Sequence, residues 1–210
     1  AQTYGVTVRE MATAFATFPN GGVYREARSY TKVFDSSGNE VLYNEQEERE
    51  VLGQKATNYM NYCLVRAMQA GTGMEANFAS TYGVTVAGKT GTTESNFDRW
   101  ICGYTGYYTA AVWAGFDYPD TITTISGQSP ANQLFKKVMG PLHKGKKNIA
   151  LYNTKNMTEV QVCLESGKLA TDACKHDVRT VAGGVSRIYD VWVYEEDIPK
   201  ETCDQHVMIS

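Results

Sequence analysis

Three β-prone runs, at residues 81–89, 99–105 and 107–116, follow one another across short connectors. Gly106 sits where the second turns into the third, which fits an antiparallel hairpin. A helix pattern comes next. Ser129 is placed as an N-cap before Pro130 at the first helical position, and Ala131, Leu134, Phe135, Val138 and Met139 line one face until Gly140-Pro141 halts the run. The chain is therefore read as mixed helix and sheet, with its strands gathered in the middle.

The first run leads through Tyr82-Gly83-Val84-Thr85-Val86 into Ala87-Gly88-Lys89-Thr90-Gly91-Thr92-Thr93. A strand ending this way sets an ammonium, two hydroxyls and an unobstructed backbone side by side. Those groups suit a substrate carrying a carboxylate and a reactive carbonyl. Gly91 has no Cβ, so a ligand can lie against the strand edge. The amides beyond it can bond an extended peptide as an added strand or hold a developing oxyanion. A lone Lys-Thr-Gly is as well explained by a plain surface strand, so the context decides. Downstream stand Asp98-Arg99-Trp100-Ile101-Cys102-Gly103-Tyr104-Thr105 and then Val112-Trp113-Ala114-Gly115.

In that order these motifs resemble the penicillin-binding proteins of the bifunctional, high-molecular-weight type. Their transpeptidase domains follow Lys-Thr-Gly-Thr-Thr with an Asp-x-Trp strand ending in Gly-Tyr-Thr and a Val-Trp-x-Gly strand; Lys-Thr-Gly is one of three signatures shared with serine β-lactamases. Residues 5–24 resemble the family's helix ending in Asn-Gly-Gly, and Gly71-Thr72-Gly73 a Gly-Thr-Gly preceding its Lys-Thr-Gly strand. Cys163-Leu164-Glu165-Ser166-Gly167 and Cys203-Asp204-Gln205-His206 resemble the tail that follows many such domains. The resemblance implies an α/β (α+β) fold of the β-lactamase/transpeptidase kind, an antiparallel sheet flanked by helices, present as its C-terminal portion. Residues 1–147 are then the transpeptidase part and 148–210 a Cys-containing extension that packs back on it.

The activity implied is D-alanyl-D-alanine transpeptidation in cell-wall cross-linking, with peptidoglycan stem peptides and β-lactam antibiotics as partners and no cofactor. Lys89 would hold the hydrogen-bond network and help the proton shuttle. Thr90 and Thr92 hydroxyls would take the carboxylate, the Thr92 N–H would be half of an oxyanion hole, and Gly91 and Thr93 would complete the substrate edge. The location implied is the extracytoplasmic face of a bacterial membrane. Rival readings are a non-catalytic β-lactam-binding or scaffold module, and a serine β-lactamase or D,D-carboxypeptidase.

The family's nucleophile is the serine of Ser-x-x-Lys at a helix start, with a Ser-x-Asn motif after it. Both patterns occur, as Ser29-Tyr30-Thr31-Lys32 and Ser37-Gly38-Asn39. Neither fits. Ser29 and Lys32 fall in a β-prone run, where residues three apart point to opposite faces, and nucleophile and base must be in hydrogen-bond reach. Ser37-Gly38-Asn39 reads as a turn. The working motifs are expected before Ala1, leaving an unfilled sheet edge for another chain to pair.

Composition excludes little else. The 210 residues are 42% hydrophobic and 20% charged, as in an ordinary globular protein, and the net charge of −3 gives no nucleic-acid footprint. The basic cluster at 143–147 reads as a solvated loop. No apolar run reaches the ~20 residues a membrane span needs, so any anchor is expected outside the chain, N-terminal to it. Cys63 and Cys102 read as buried small hydrophobes. Cys163, Cys174 and Cys203 lie close together, and one pair could form a disulfide. A zinc site from these three with His176 and His206 is weighed, but Cys-x-x-Cys pairs are absent and no metal is expected. His143, His176 and His206 read as surface residues, too few and peripheral for a Ser-His-Asp triad. Asn156-Met157-Thr158 matches a glycosylation sequon, a pattern too common to count.

Elsewhere, Thr7-Val8-Arg9-Glu10 has capping-box spacing before an amphipathic helix that Asn20-Gly21-Gly22 ends. Strands are expected at 28–34, 40–43, 159–164 and 188–194, a helix at 55–69, and a solvated loop or helix start at 45–50.

Overall fold

Thr7 and Glu10 start the first helix as the spacing requires. The Glu10 N–H donates to Thr7 Oγ1 at 3.2 Å and the Thr7 N–H to the Glu10 carboxylate at 2.7 Å, satisfying two of the helix's orphan amides. In the computed structural model, which describes residues 5–122, 128–177 and 186–207, this helix is α1 (Val8–Ala16). Its exit runs through Gly21 and Gly22 at φ 70° and 91°. A Cβ at Gly22 would lie 2.0 Å from the Leu52 carbonyl oxygen, so only glycine turns here.

The chain divides into two units, Ala1–Tyr152 and Asn153–Ser210. In the first, β1 (Val23–Arg25) pairs with β4 (Glu48–Glu50), and β2 (Lys32–Phe34) with β3 (Glu40–Tyr43), both antiparallel. Then come α2 (Gln54–Ala70), the single turn α3 (Ala79–Tyr82), β5 (Ala87–Thr92), β6 (Arg99–Tyr104), β7 (Thr109–Ala114) and α4 (Pro130–Met139). Strands β5, β6 and β7 form one antiparallel sheet in that order. In the second unit β8 (Met157–Cys163) pairs with β9 (Ile188–Tyr194), with the short α5 (Asp172–Lys175) between them in sequence.

Alternation along β5–β7 gives the sheet two apolar faces. Ile101, Val112 and Ala110 face α4, where Phe135, Met139, Ala131, Phe78 and Met68 close the larger core. Ala87 and Tyr104 face the other way, against Leu64 and Val65 of α2 and Phe15 of α1. The Tyr104 hydroxyl donates to Asn61 Oδ1, and Asn61 Nδ2 donates to the Phe18 carbonyl at 3.1 Å. That buried chain of bonds ties sheet, α2 and the exit of α1 together.

Several expectations are corrected. The run at 81–89 is not strand throughout. Asn77 Oδ1 accepts the Ala79 N–H, and Gly83 at φ 68° closes a helical turn by donating to the Ala79 carbonyl. Extended pairing starts only at Ala87. Strand pairing in the 28–34 run is confined to β2, and the charged 45–50 stretch contains a paired strand, β4, exposed on both faces. Cys63 is exposed rather than buried. His143 is fully buried, not on the surface. Its Nδ1 lies 2.8 Å from the Met139 carbonyl, which only accepts, so Nδ1 carries the proton and Nε2 accepts from Thr105 Oγ1 at 2.7 Å. His206 is also interior, with its side chain 6% exposed; His176 alone is exposed.

Ser129 makes no side-chain cap for α4. Glu75 caps it from a distance instead. Its carboxylate accepts the Ser129 N–H at 3.0 Å, Asn132 Nδ2 at 2.8 Å and Gln133 Nε2 at 2.9 Å, at the positive end of the helix. Burial raises the Glu75 pKa, but these three donors outweigh it and hold the group below its ordinary value of 4.5. A folded pKa below the unfolded one means stability present above pH 4.5 and lost as the pH falls through the lower folded value. Glu75→Gln should cost about 2 kcal/mol at neutral pH and flatten the acid limb of the pH–stability curve, read by urea unfolding at stepped pH.

Candidate active site

Among the described residues only β6 pairs with β5, so the Lys-Thr-Gly strand is a sheet edge. The Thr93 N–H donates to the Asp98 carbonyl at 3.3 Å, and the register runs unbroken from Thr92↔Arg99 to Ala87↔Tyr104. Backbone groups of an antiparallel strand alternate in direction. Lys89, Gly91 and Thr93 therefore bond inward to β6, while the N–H and C=O of Thr90 and Thr92 face the open edge. At that edge Lys89 Nζ donates to the Thr90 carbonyl at 2.8 Å.

Side chains alternate too. Lys89 and Gly91 share a face with Trp100, Cys102 and Trp113, and across it Val8, Met11 and Phe15 of α1 form the other wall of a groove of about 710 Å³. Trp100 and Trp113 pair across β6 and β7 with ring centroids 6.5 Å apart. Burial pushes the Cys102 thiol up to about 11, so the groove's one cysteine stays protonated and is no nucleophile. A comparable concavity around Tyr24, Glu26 and residues 45–49 is lined chiefly by carboxylates, four against the single Arg49, which disfavours a carboxylated substrate.

The hydroxyls of the motif are already engaged. Thr90 Oγ1 donates to Thr72 Oγ1 at 2.7 Å, on the face opposite Lys89. Thr92 Oγ1 accepts from Arg99 Nη1 at 3.1 Å. Thr93 Oγ1 donates to Asp98 Oδ2 at 3.0 Å, and Trp113 Nε1 donates to Asp98 Oδ1 at 2.7 Å. Asp98 thereby rivets the β5–β6 connection, which passes through Ser95 and Asn96 with both φ at 59°. Left-handed backbone at two adjacent non-glycine residues is a strained turn held beside the groove.

The structure thus gathers Lys89, Thr90, Gly91, Thr92 and Thr93 on one edge. Beside those hydroxyls, the backbone N–H and C=O of Thr90 and Thr92 also face the open edge. Thr72 and Asp98 were not singled out as site residues in the sequence. The signal for Thr72 was Gly71-Thr72-Gly73, read there only as a Gly-Thr-Gly preceding the Lys-Thr-Gly strand; for Asp98 it was the aspartate opening the Asp-x-Trp strand. Lys32 stands on β2 with its ammonium on Glu40. Ser37 and Asn39 belong to a turn whose N–H groups donate to Asp35 Oδ1 at 2.8 and 2.9 Å. Neither serine motif stands on a helix.

The family model of the penicillin-binding protein transpeptidase domain matches residues 1–140, and that of the penicillin-binding protein 1A C-terminal domain matches residues 153–208. Penicillin-binding protein 1A of Clostridium perfringens is 34% identical over 197 residues, which is 93% of this chain and 23% of that protein. The protein of the same name from Clostridium tetani is 32% identical over 213 residues, 98% of this chain and 25% of that one. The chain spans about a quarter of the length of these relatives. Among solved structures, penicillin-binding protein 1A from Haemophilus influenzae superposes with a TM-score of 0.71 at 18% identity, over 94% of this chain and 33% of that one. Penicillin-binding protein A from M. tuberculosis, in its imipenem acyl-enzyme complex, gives 0.54 at 17% identity, over 68% and 33%. At such identities the likeness speaks for the fold, and the fold is the mixed helix and antiparallel sheet expected. Sequence match, fold and the order of motifs agree: the chain belongs to the penicillin-binding protein family, with a transpeptidase-domain segment followed by a C-terminal domain of the penicillin-binding protein 1A kind.

Proposed function

We propose that this chain supplies the Lys-Thr-Gly wall of a serine-type D,D-transpeptidase acting on peptidoglycan stem peptides at the extracytoplasmic face of a bacterial membrane. One observation carries the reading: the open β5 edge presents Lys89 and the backbone of Thr90 and Thr92 along an apolar-floored groove. An extended peptide ending in D-Ala-D-Ala adds to that edge through its own backbone. The serine hydroxyl, from residues outside these 210, attacks the penultimate carbonyl as its proton passes through the Lys89 network. The Thr92 N–H receives the oxyanion, a contribution of about 3 kcal/mol for one such donor. The peptide bond breaks, the terminal D-Ala leaves with the proton, and the amine of a second stem displaces the serine from the acyl-enzyme. A β-lactam acylates the same serine. The Ala1–Tyr152 unit serves as the transpeptidase part and Asn153–Ser210 as its extension.

Intact-mass measurement after incubation with excess benzylpenicillin tests this. The 210-residue chain should show no adduct, and the longer protein containing it should gain one. An adduct on the short chain would place the nucleophile within it and make Ser29 the first suspect. No adduct on either would leave the non-catalytic module.

A further inference from the structure

The Asn153–Ser210 unit has almost no aliphatic interior. Among the described residues those buried as whole residues are Met157, Cys163, Cys174, Cys203 and Asp177, and the three cysteines form its one core cluster, with Ala170 and Ile188 packed against them. A unit of about 60 residues rarely holds together on so little apolar surface, and domains of this size add a disulfide or a metal. All three cysteines are free thiols.

We infer that Cys163, Cys174, Cys203 and His206 form a structural Zn²⁺ site that holds the C-terminal unit together. Their ligand atoms all lie within 4.8 Å of one another. His206 Nδ1 stands 3.3 Å from Cys203 Sγ and 3.5 Å from Cys163 Sγ. In a tetrahedral zinc site, with sulfur at ~2.3 Å and imidazole nitrogen at ~2.0 Å, such an N–S pair is about 3.5 Å apart and an S–S pair about 3.8 Å. Hydrogen bonding alone does not account for the arrangement. One ring nitrogen has a single proton or a single lone pair, so it serves one sulfur and not two. A disulfide does not account for it either, since it would join two of the cysteines and strand the third beside the ring.

The surroundings fit the same reading. Cys163 ends β8 at a tight turn in which the Gly167 N–H donates to the Cys163 carbonyl at 2.8 Å, with Gly167 at φ 68°. Cys174 lies on α5, where its sulfur accepts the Thr171 N–H at 3.4 Å. Cys203 is held by its N–H donating to the Leu169 carbonyl at 2.8 Å. The other nitrogen of His206, Nε2, lies 3.0 Å from Asp177 Oδ2 and 3.3 Å from Glu165 Oε2. With Nδ1 on the metal, Nε2 carries the proton and faces Asp177, the nearer of the two carboxylates, the outer support that metal-bound histidines usually have. Those carboxylates and Nε2 form a second, harder ligand group, but three thiolates and an imidazole suit zinc better than two carboxylates and an imidazole. His176 is exposed, with its Nδ1 on the Asp172 carbonyl, and stays outside the set. The expectation of no metal rested on the missing Cys-x-x-Cys pairs, and here strand end, helix and C-terminal turn bring distant cysteines together instead.

The 210-residue chain, purified under reductant and stripped with a chelator, tests the site. It should take up one Zn²⁺ per chain in competition with a chromophoric chelator. With Co²⁺ alone it should show tetrahedral d–d bands and thiolate charge-transfer absorption. Cys203→Ser and His206→Ala should each weaken zinc by more than about a hundredfold, Asp177→Asn by roughly ten- to a hundredfold, and His176→Ala should change nothing. The cobalt spectrum of the unsubstituted chain stands even if a variant does not fold. A reduced chain that gives no tetrahedral cobalt spectrum, or whose three thiols alkylate as fast with zinc as without it, overturns the proposal.

Discussion

Lys89→Ala in the longer protein containing this chain is expected to slow acylation by a fluorescent penicillin by about a thousandfold, the middle of the range for a group that carries a proton in the transition state. Folding should not change. The Lys89 ammonium is exposed and its one described bond is to the neighbouring Thr90 carbonyl, so its loss is a surface substitution within about 0.5 kcal/mol. Rate and thermal midpoint measured on the same preparation separate the two. A normal rate would remove Lys89 from the proton path, and a lowered midpoint would mean that the ammonium also supports the edge. Lys89→Arg sharpens the test, because it keeps the charge but neither the compact ammonium nor its ability to give up a proton.

The largest effect on stability is expected at Phe135. It is fully buried on α4, its ring centroid 6.0 Å from that of Phe78, and it packs over the sheet at Gly103. Phe135→Ala should cost about 4 kcal/mol through lost transfer and the cavity left behind. The contact below it is close: a Cβ on Gly103 would fall 2.8 Å from Phe135 Cζ and 2.9 Å from the Ala87 carbonyl oxygen. Gly103→Ala should then cost about 2 kcal/mol by overpacking. In the double variant the new methyl meets a void instead of a ring. Its cost should fall short of the sum by about 1 kcal/mol or more, the sign of direct coupling. Urea unfolding of the four proteins reads the cycle, and strict additivity would mean that the Ala87 carbonyl, not the ring, resists the methyl.

What was legible in the sequence was what local patterning alone decides. Thr7 and Glu10 announce a capping box and make one. Gly21 and Gly22 announce a left-handed exit and supply it. The runs around Lys89 and Trp100 read as β-prone, with a turn glycine at 106 between the second and the third, and they pair as one antiparallel sheet. The misreadings share a cause, which is that the deciding partner lies far away in sequence. Residues 81–83 look β-prone until Asn77 and Gly83 close a turn around them. His143 reads as part of a basic loop, yet Thr105, Phe78 and the tyrosines at 107 and 108 enclose it. The cysteines of the C-terminal unit, separated by long gaps, gave no spacing that a metal motif would match.

Strand β7 leaves its outer side unpaired among the described residues. Its sequence, Thr109-Ala110-Ala111-Val112-Trp113-Ala114, carries no charge and no proline, and the exposed Phe116 and Tyr118 follow it. Proteins ordinarily guard such a strand with a lysine, a bulge or a proline, and none of these stands on it. A second copy can add to the edge by backbone bonding alone. An uncovered edge of this kind is a template for strand addition, so association of the isolated chain is expected to rise with its concentration, and any strand that caps β7 would act as a solubiliser as much as a neighbour.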